Sequence, residues 1–124
     1  MTLPEGVAET DLPGVPLLSR GKVRDIYDLG DELLIVATDR ISAFDHVLPD
    51  PIPDKGKVLN QIAEFWFRRT ERRVLNHLIS TDVDHYPQIV APYADLLRGR
   101  STLARKLSML PVECIARGYL AGSG

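Results

Sequence analysis

Three short apolar runs separated by tight turns occupy residues 17–37, and they restrict the fold more than any other feature of the sequence. The first run begins at Leu17 and leads into a turn at residues 19–22. The second covers residues 23–27, and the third is Leu33–Ala37, which is rich in residues that favour strands. Strands joined by turns this short pair with their neighbours, so the sequence predicts an antiparallel meander.

A helix is predicted after the proline-rich loop of residues 48–56. Apolar side chains then recur at helical spacing along one face, at Val58, Leu59, Ile62, Phe65 and Trp66. We expect this stripe, including Phe65 and Trp66, to lie in the core. Asp54 is a candidate N-cap. Cations near the predicted C-terminal end would complement the helix dipole, and they are Arg68, Arg69, Arg72 and Arg73.

The same patterns predict two further strands, Leu103–Leu107 and Val112–Leu120, with Cys114 in the core. Residues 1–16 contain several prolines and glycines and are predicted to form a leader or loop. Residues 17–124 are then a single unit of the α+β class. The last residues are glycine and serine after an apolar run, so we expect the N-terminal part of a longer protein.

Composition excludes several classes of protein. The 124 residues are 44% apolar and 26% charged with a net charge of −2, which is typical of a globular domain and argues against disorder and against a dedicated nucleic-acid binder. No apolar run approaches the ~20 residues of a membrane span. A single cysteine favours a reducing, cytoplasmic location. His77 and His85 lack the spacing of metal ligands, so no metal-ligating residue is assigned.

The first motif with chemical potential is the turn Gly21-Lys22-Val23-Arg24. Glycine permits close approach of a ligand to the backbone. If both cations lie in a strand, Lys22 and Arg24 share one face and suit a polyphosphate. The alternative is an ordinary solvent-exposed hairpin. The six-residue glycine-rich approach of a Walker A loop is missing.

A second motif, residues 38–46, follows the strand Leu33–Ala37 and contains Asp39, Ser42, Asp45 and His46. Ends of strands are common positions for ligand contacts. The alternative is a capped turn in which Asp39 and Ser42 bond to the local backbone. Ser42 and His46 could also suggest nucleophilic catalysis, but the sequence offers no geometry for it.

The third motif is residues 111–123. On a strand, Glu113 and Arg117 would share an otherwise apolar face, where charges must be paired or bound to something. They form either an internal ion pair or a site in which Arg117 binds an anion. In the second case Gly122 and Ser123 offer backbone amides and a hydroxyl group.

Taken together, these motifs resemble the SAICAR synthase family, in order, from Leu17 to Gly124. The segments that carry the resemblance are residues 21–27, 38–45, 52–56, 65–67, 76–77 and, most specifically, 110–123. The resemblance implies an α+β fold with an antiparallel N-terminal sheet and a packed helix, similar to a kinase small lobe or half of an ATP-grasp fold. The family's later Mg²⁺-binding strand and its C-terminal portion are absent, so the fold is incomplete C-terminally and we expect the chain alone to be inactive or nearly so.

The resemblance also implies an activity and its residues. The family joins L-aspartate to the carboxylate of CAIR (carboxyaminoimidazole ribonucleotide) in purine biosynthesis, using ATP and Mg²⁺. The positions matching its ATP site are Gly21, Lys22, Val23, Arg24, Met109 and Glu113. Those matching its substrate site are Ser42, Asp45, Arg117, Gly122 and Ser123. No residue is assigned as catalytic, the expected partners are these small molecules, and a homo-oligomer is compatible with the pattern.

Two other classes stay open at this point. One is a standalone nucleotide-binding or regulatory module that uses only the cations of the hairpin, for which ATP binding would be insensitive to CAIR. The other is an RNA-contacting domain that uses the arginines of residues 68–73, for which their joint replacement by alanine would abolish RNA binding and spare ATP binding.

Overall fold

A computed structural model describes residues 5–120 and is built around a five-stranded sheet with one long helix on it. The strands are β1 (Leu17–Arg20), β2 (Arg24–Asp28), β3 (Glu32–Ala37), β4 (Ser42–Ala43), β5 (His46–Val47), β6 (Leu78–Ser80) and β7 (Ser101–Arg105). The α-helices are α1 (Lys55–Thr70) and α2 (Ala94–Leu97), and 3₁₀ helices cover Val83–His85 and Gln88–Tyr93. The described helices include none with the length and apolar character needed to cross a membrane.

The main sheet has the order β1-β2-β3-β7-β6 with every pair antiparallel, and β4 and β5 form a separate hairpin. The predicted meander and the α+β class are therefore confirmed. Ile26 lies opposite Ile35, and Tyr27 lies opposite Leu34. Because side chains alternate along a strand, Tyr27 and Leu34 fall on one buried face, and Ile26 and Ile35 fall on the other.

The first face of the sheet carries the hydrophobic core. Leu34 and the other buried strand residues pack there against Leu12 and Val15 from the N-terminal segment and against Val90 and Leu97. The described part of that segment contains no helix or strand, but it supplies two core side chains. Deeply buried aliphatic side chains each contribute roughly 1.5–3 kcal/mol to folding, so the segment is a structural part of the unit.

Helix α1 lies on the second face, and its orientation differs from the prediction. Its buried residues are Gly56 and Asn60. The Asn60 side chain donates a hydrogen bond to the Ser101 carbonyl (3.1 Å) and accepts one from the Thr102 hydroxyl (3.0 Å). The helix is thus attached through small and polar residues. The predicted core stripe is about half exposed instead, and its members are Val58, Leu59, Ile62, Phe65 and Trp66.

The start of α1 also differs in its chemistry. Asp54 occupies the N-cap position as predicted, but its backbone is left-handed (φ 66°) and its side chain makes no capping hydrogen bond. The carboxylate of Asp39 takes over this role, because it accepts a hydrogen bond from the Gly56 amide at 2.8 Å. An unpaired amide of the first helical turn is thereby satisfied from the end of β3.

The predicted strand Val112–Leu120 is wrong, because residues 106–120 contain neither helix nor strand. The apolar side chains of this segment are exposed, and so is Cys114, which was expected in the core. Its composition suits a strand, but within the described residues β1 and β6 are the edges of the sheet and neither pairs with it. The strand predicted at Leu103–Leu107 exists, displaced by two residues to Ser101–Arg105.

Candidate functional site

The turn between β1 and β2 brings three predicted site residues to one edge of the sheet. Gly21, Lys22 and Val23 form the turn, and Arg24 is the first residue of β2. Lys22 therefore lies outside the strands, and the geometry predicted for two cations on one strand does not apply. The Gly21 amide donates to the Arg24 carbonyl (2.8 Å), so it closes the turn and is engaged there.

A cleft runs along this edge, on the same side of the sheet as α1. Its deeper part is a largely apolar cavity of about 260 Å³ between sheet and helix, whose lining includes Val23, Arg24, Ile35, Ala37 and Lys55. Its outer part is a groove of about 430 Å³, whose lining includes Gly21, Lys22, Val23, Arg24 and Glu113. Val23 and Arg24 border both parts, so the apolar compartment lies next to one that carries charges.

Lys22 and Asp45, predicted for two different ligands, contact each other directly. The Lys22 ammonium donates a hydrogen bond to the Asp45 carboxylate. This contact raises the pKa of Lys22, with a smaller contribution from the charge of Glu113, and it lowers the pKa of Asp45. Both side chains are more than half exposed, and exposed ion pairs contribute little to stability. An anionic ligand can therefore compete with Asp45 for Lys22.

Asp45 is presented by the β4–β5 hairpin, whose two turn residues are Phe44 and Asp45. Both have positive φ angles, 51° and 64°, which a two-residue hairpin turn of this type requires. Phe44 is 98% exposed, so packing does not compensate its strain. Ser42 lies opposite Val47 in this hairpin, and the described residues show no hydrogen bond from Ser42 to His46. The arrangement gives no support to a nucleophilic pair.

Arg40 was not singled out from the sequence, yet its guanidinium is buried directly behind the turn. It donates hydrogen bonds to the carbonyls of Gly21 (2.8 Å), Lys22 (3.1 Å) and Arg24 (3.0 Å). It also pairs with the buried carboxylate of Asp25 at 2.8 Å. The only feature of the sequence that pointed to Arg40 was its position in the second motif, shortly after a predicted strand.

Asp25 balances the charge of Arg40 inside the fold. Its carboxylate also accepts hydrogen bonds from the Thr10 amide (2.9 Å), the Thr10 hydroxyl (2.8 Å) and Arg20 (3.0 Å). Burial alone would raise the pKa of Asp25, but the hydrogen bonds from Thr10 and Arg40 outweigh burial and lower it. Asp25 is therefore an ionised carboxylate in the folded chain.

Asp39 has a structural role, but not the local one that the capped-turn alternative describes. It pairs in a bidentate manner with Arg100 (2.9 and 3.2 Å) and accepts hydrogen bonds from the amides of Val7 and Gly56 (both 2.8 Å). These contacts lower its pKa in spite of burial. Asp39 thus joins the N-terminal segment, the end of β3, helix α1 and the start of β7.

The remaining predicted residues lie on or beyond the segment of residues 106–120. Glu113 reaches the groove beside Lys22, whereas Met109 is exposed. Arg117 is exposed as well and does not line the groove, and among the described residues it forms no ion pair with Glu113. The structure therefore joins Lys22, Arg24, Asp45 and Glu113 but not Arg117. Gly122 and Ser123 lie outside the described residues.

Two other features concern the RNA-contacting alternative and metal binding. Arg68, one of the four arginines at the end of α1, pairs with Glu64 on the same helix (2.9 Å), as expected of a solvated helix end. Within residues 5–120 no three His, Cys, Asp or Glu side chains are grouped as metal ligands.

These observations define an α+β protein with a cation-bearing turn at the mouth of a partly apolar cleft. The sequence matches the SAICAR synthetase family over residues 17–124, and the chain belongs to that family. A phosphoribosylaminoimidazole-succinocarboxamide synthase of Pelobacter propionicus is 64% identical over 118 residues, which are 95% of this chain and 40% of that protein. One of Syntrophobacter fumaroxidans is 62% identical over 121 residues, or 98% of this chain and 40% of that protein.

Solved structures agree with the sequence comparison. A SAICAR synthase from Saccharomyces cerevisiae, solved in complex with SAICAR, superposes with a TM-score of 0.83 at 42% identity. The superposition covers 94% of this chain and 42% of that one. This chain thus spans about two fifths of the length of the relatives that it matches.

Proposed function

We propose that this chain supplies the nucleotide-binding part of a cytoplasmic phosphoribosylaminoimidazole-succinocarboxamide synthase. The reaction is the ATP-dependent ligation of L-aspartate to the carboxylate of CAIR. Membership in the family supports the activity. The observation that carries the assignment of a nucleotide site to this part is that Val23 and Arg24 border both an apolar compartment and a charged groove.

The chemistry explains why such a cleft is needed. A carboxylate is a poor electrophile, so the γ-phosphoryl group of ATP is transferred to a CAIR carboxylate oxygen and ADP leaves. The amine of aspartate then attacks the acyl phosphate carbon, phosphate departs with the C–O bond electrons, and the amine loses a proton. Three anionic reactants must be held together, so positioning and charge neutralisation are the principal tasks of the protein.

In this proposal the adenine base occupies the apolar cavity, against Val23, Ile35 and Ala37. The phosphates of ATP lie at the groove, where Lys22 and Arg24 supply positive charge. The exposed contact of Lys22 with Asp45 is weak enough for a phosphate oxygen to replace the carboxylate. Lys55 borders the cavity from the helix side and can act as a third cation.

Two residues of the later segment complete the nucleotide site. Met109 follows β7, and its backbone is assigned to the adenine edge by the family pattern. Glu113 lines the groove beside Lys22. A carboxylate repels phosphate, so Glu113 suits a neutral group of the nucleotide such as a sugar hydroxyl.

The proposed CAIR site uses Arg117, Gly122 and Ser123 for the anionic ends of that substrate, together with Ser42 and Asp45 of the β4–β5 hairpin. When bound with ATP, Mg²⁺ would offset the negative charge of the phosphates. The described residues contain no group of three metal-ligating side chains, so none of them is assigned as a ligand of Mg²⁺.

Equilibrium titration with ATP tests the nucleotide site. We expect Lys22→Ala to weaken ATP binding by about tenfold, roughly the 1.4 kcal/mol of a charge-assisted contact. Lys57→Ala is the matched control, because Lys57 is a partly exposed lysine of α1 whose ion-pair contact is with Asp54. Equal affinity in the two variants, or no ATP binding by the unaltered chain, would reject the proposal. If CAIR does not change the ATP affinity of a complete enzyme that carries this region, the result favours the alternative of a nucleotide-binding or regulatory module.

A further inference from the structure

The side chain of Arg40 reaches the back of the turn that carries Lys22 and Arg24. Its Nη2 donates to the carbonyls of Gly21 (2.8 Å) and Arg24 (3.0 Å), and its Nε donates to the carbonyl of Lys22 (3.1 Å). We propose that Arg40 is a positioning residue that sets the shape of this turn for a phosphate ligand. The part concerning phosphate depends on the proposed function, whereas the part concerning the turn does not.

The β ladder does not hold this turn by itself. Pairing between β1 and β2 ends where Arg20 faces Asp25. Arg24 still pairs with Ala37 of β3, but residues 21–23 pair with none of the described strands. The hydrogen bond from the Gly21 amide to the Arg24 carbonyl closes the turn, and the Thr38 amide and hydroxyl bind the Val23 carbonyl. The carbonyls of Gly21 and Lys22 are held by Arg40. Without it, ordering of the turn would have to occur when a ligand binds, at a cost in entropy.

The guanidinium is itself fixed in place. Its Nη1 donates to the Ala8 carbonyl (2.9 Å), and its Nη2 is paired with the ionised carboxylate of Asp25. Asp25 is in turn held by Thr10 and Arg20. The rigid planar fork of arginine can serve several acceptors at fixed angles, which the tetrahedral ammonium of lysine cannot do. The charge of Arg40 is therefore neutralised within the fold by Asp25, and the charges of Lys22 and Arg24 remain available to a ligand.

A third cation of the cleft is attached to the same residue. The ammonium of Lys55 donates to the main-chain carbonyl of Arg40 at 3.3 Å. Lys55 borders the apolar cavity, and Arg24 borders both the cavity and the groove. The side chain and backbone of Arg40 thus connect the three positive groups proposed to meet the phosphates, although Arg40 itself is 6% exposed and does not line the cleft.

The test compares Arg40→Lys with Arg100→Lys in the 124-residue chain. Both arginines are buried and paired with an aspartate, but Arg100 contacts Asp39 and the Ala37 carbonyl and no carbonyl of the turn. Amide hydrogen exchange at Gly21 reports the turn, and titration with ATP reports ligand binding. For Arg40→Lys we expect at least about tenfold faster exchange at Gly21 beyond any change in global stability, and about tenfold weaker ATP binding. For Arg100→Lys we expect lower stability without the faster exchange at Gly21.

The proposal would be overturned if amide exchange at Gly21 were unchanged in Arg40→Lys, or if it became equally fast in Arg100→Lys. Failure of the unaltered chain to bind ATP would reject the proposed function, while the exchange measurement would still decide the role of Arg40 in the turn. If Arg40→Lys does not fold, the unaltered chain provides the test by NMR. The Arg40 Nε–H should exchange slowly and show coupling across its hydrogen bond to the Lys22 carbonyl, and absence of both would overturn the proposal.

Discussion

The carboxylate of Asp39 and the amide of Gly56 are joined by a hydrogen bond of 2.8 Å across 17 positions of the chain. This contact fixes the start of α1 against the end of β3. It is possible only because Gly56 lies very close to the backbone of β3. The position of the helix, and with it the width of the apolar cavity, therefore depends on this glycine.

Gly56→Ala is expected to destabilise the chain strongly. An added Cβ would lie 2.2 Å from the Ala37 carbonyl oxygen and 2.8 Å from that of Thr38, so the helix would have to move away. Overpacking against backbone costs about 1–3 kcal/mol or more, and urea denaturation measures it. Gly118→Ala is the control, because nothing lies within 4 Å of its added Cβ. Equal stability of the two variants would contradict the close approach.

A second prediction concerns the exposed stripe of α1. Ile62 is about half exposed, so we expect Ile62→Ala to cost less than about 1 kcal/mol. Leu97 is fully buried, and Leu97→Ala should cost about 2–5 kcal/mol. Denaturation curves of both variants give the comparison. A larger loss for Ile62→Ala would mean that the stripe belongs to the core, as its spacing predicts.

Acid should destabilise the chain through Asp25 and Asp39. Their pKa values are lower in the folded chain than the value of about 3.9 in an unfolded chain. Their contribution to stability is therefore complete above about pH 5 and is lost as the pH falls through 4 and below. Denaturation midpoints between pH 7 and pH 3 measure this loss. Asp25→Asn should make the decline shallower, and an unchanged slope would show that Asp25 is not the source.

Gly21→Ala separates folding from ligand binding. The added Cβ would meet the Arg24 carbonyl at an ordinary contact distance of 3.7 Å, so stability should change by less than about 0.5 kcal/mol. If a phosphate approaches the turn closely, the methyl group should still weaken ATP binding severalfold. Titration and denaturation of the same variant test both statements. Unchanged ATP affinity would separate the ligand from Gly21.

The sequence predicted those parts of the fold that depend on local pattern. Alternation and short turns predict β1 to β3 correctly, and helical spacing predicts α1. The buried face of α1 was missed because the hydrophobic stripe was assumed to face inward, whereas Gly56 and Asn60 attach the helix to the sheet. Strand propensity was not sufficient at Val112–Leu120, since a strand also needs a partner.

The grouping at the cleft follows from the family resemblance rather than from local pattern. Lys22, Arg24 and Glu113 line one groove, whereas the spacing of the third motif had placed Glu113 beside Arg117. The buried hydrogen bonds that support this cleft could not be predicted, because Arg40 and Arg100 donate to acceptors that lie 15 to 63 positions away in the sequence. Such contacts exist only once the chain is folded, and no spacing in the sequence reports them.

A nitrogen–proton NMR titration of the labelled chain with ATP, and separately with adenosine, tests the central claim most directly. ATP should shift the amides of Lys22, Val23 and Arg24 together with that of Ala37. Adenosine should shift chiefly those next to the apolar cavity, Val23 and Ala37. Shifts confined to the arginines at the end of α1, with the β1–β2 turn unaffected, would contradict a nucleotide site in this cleft.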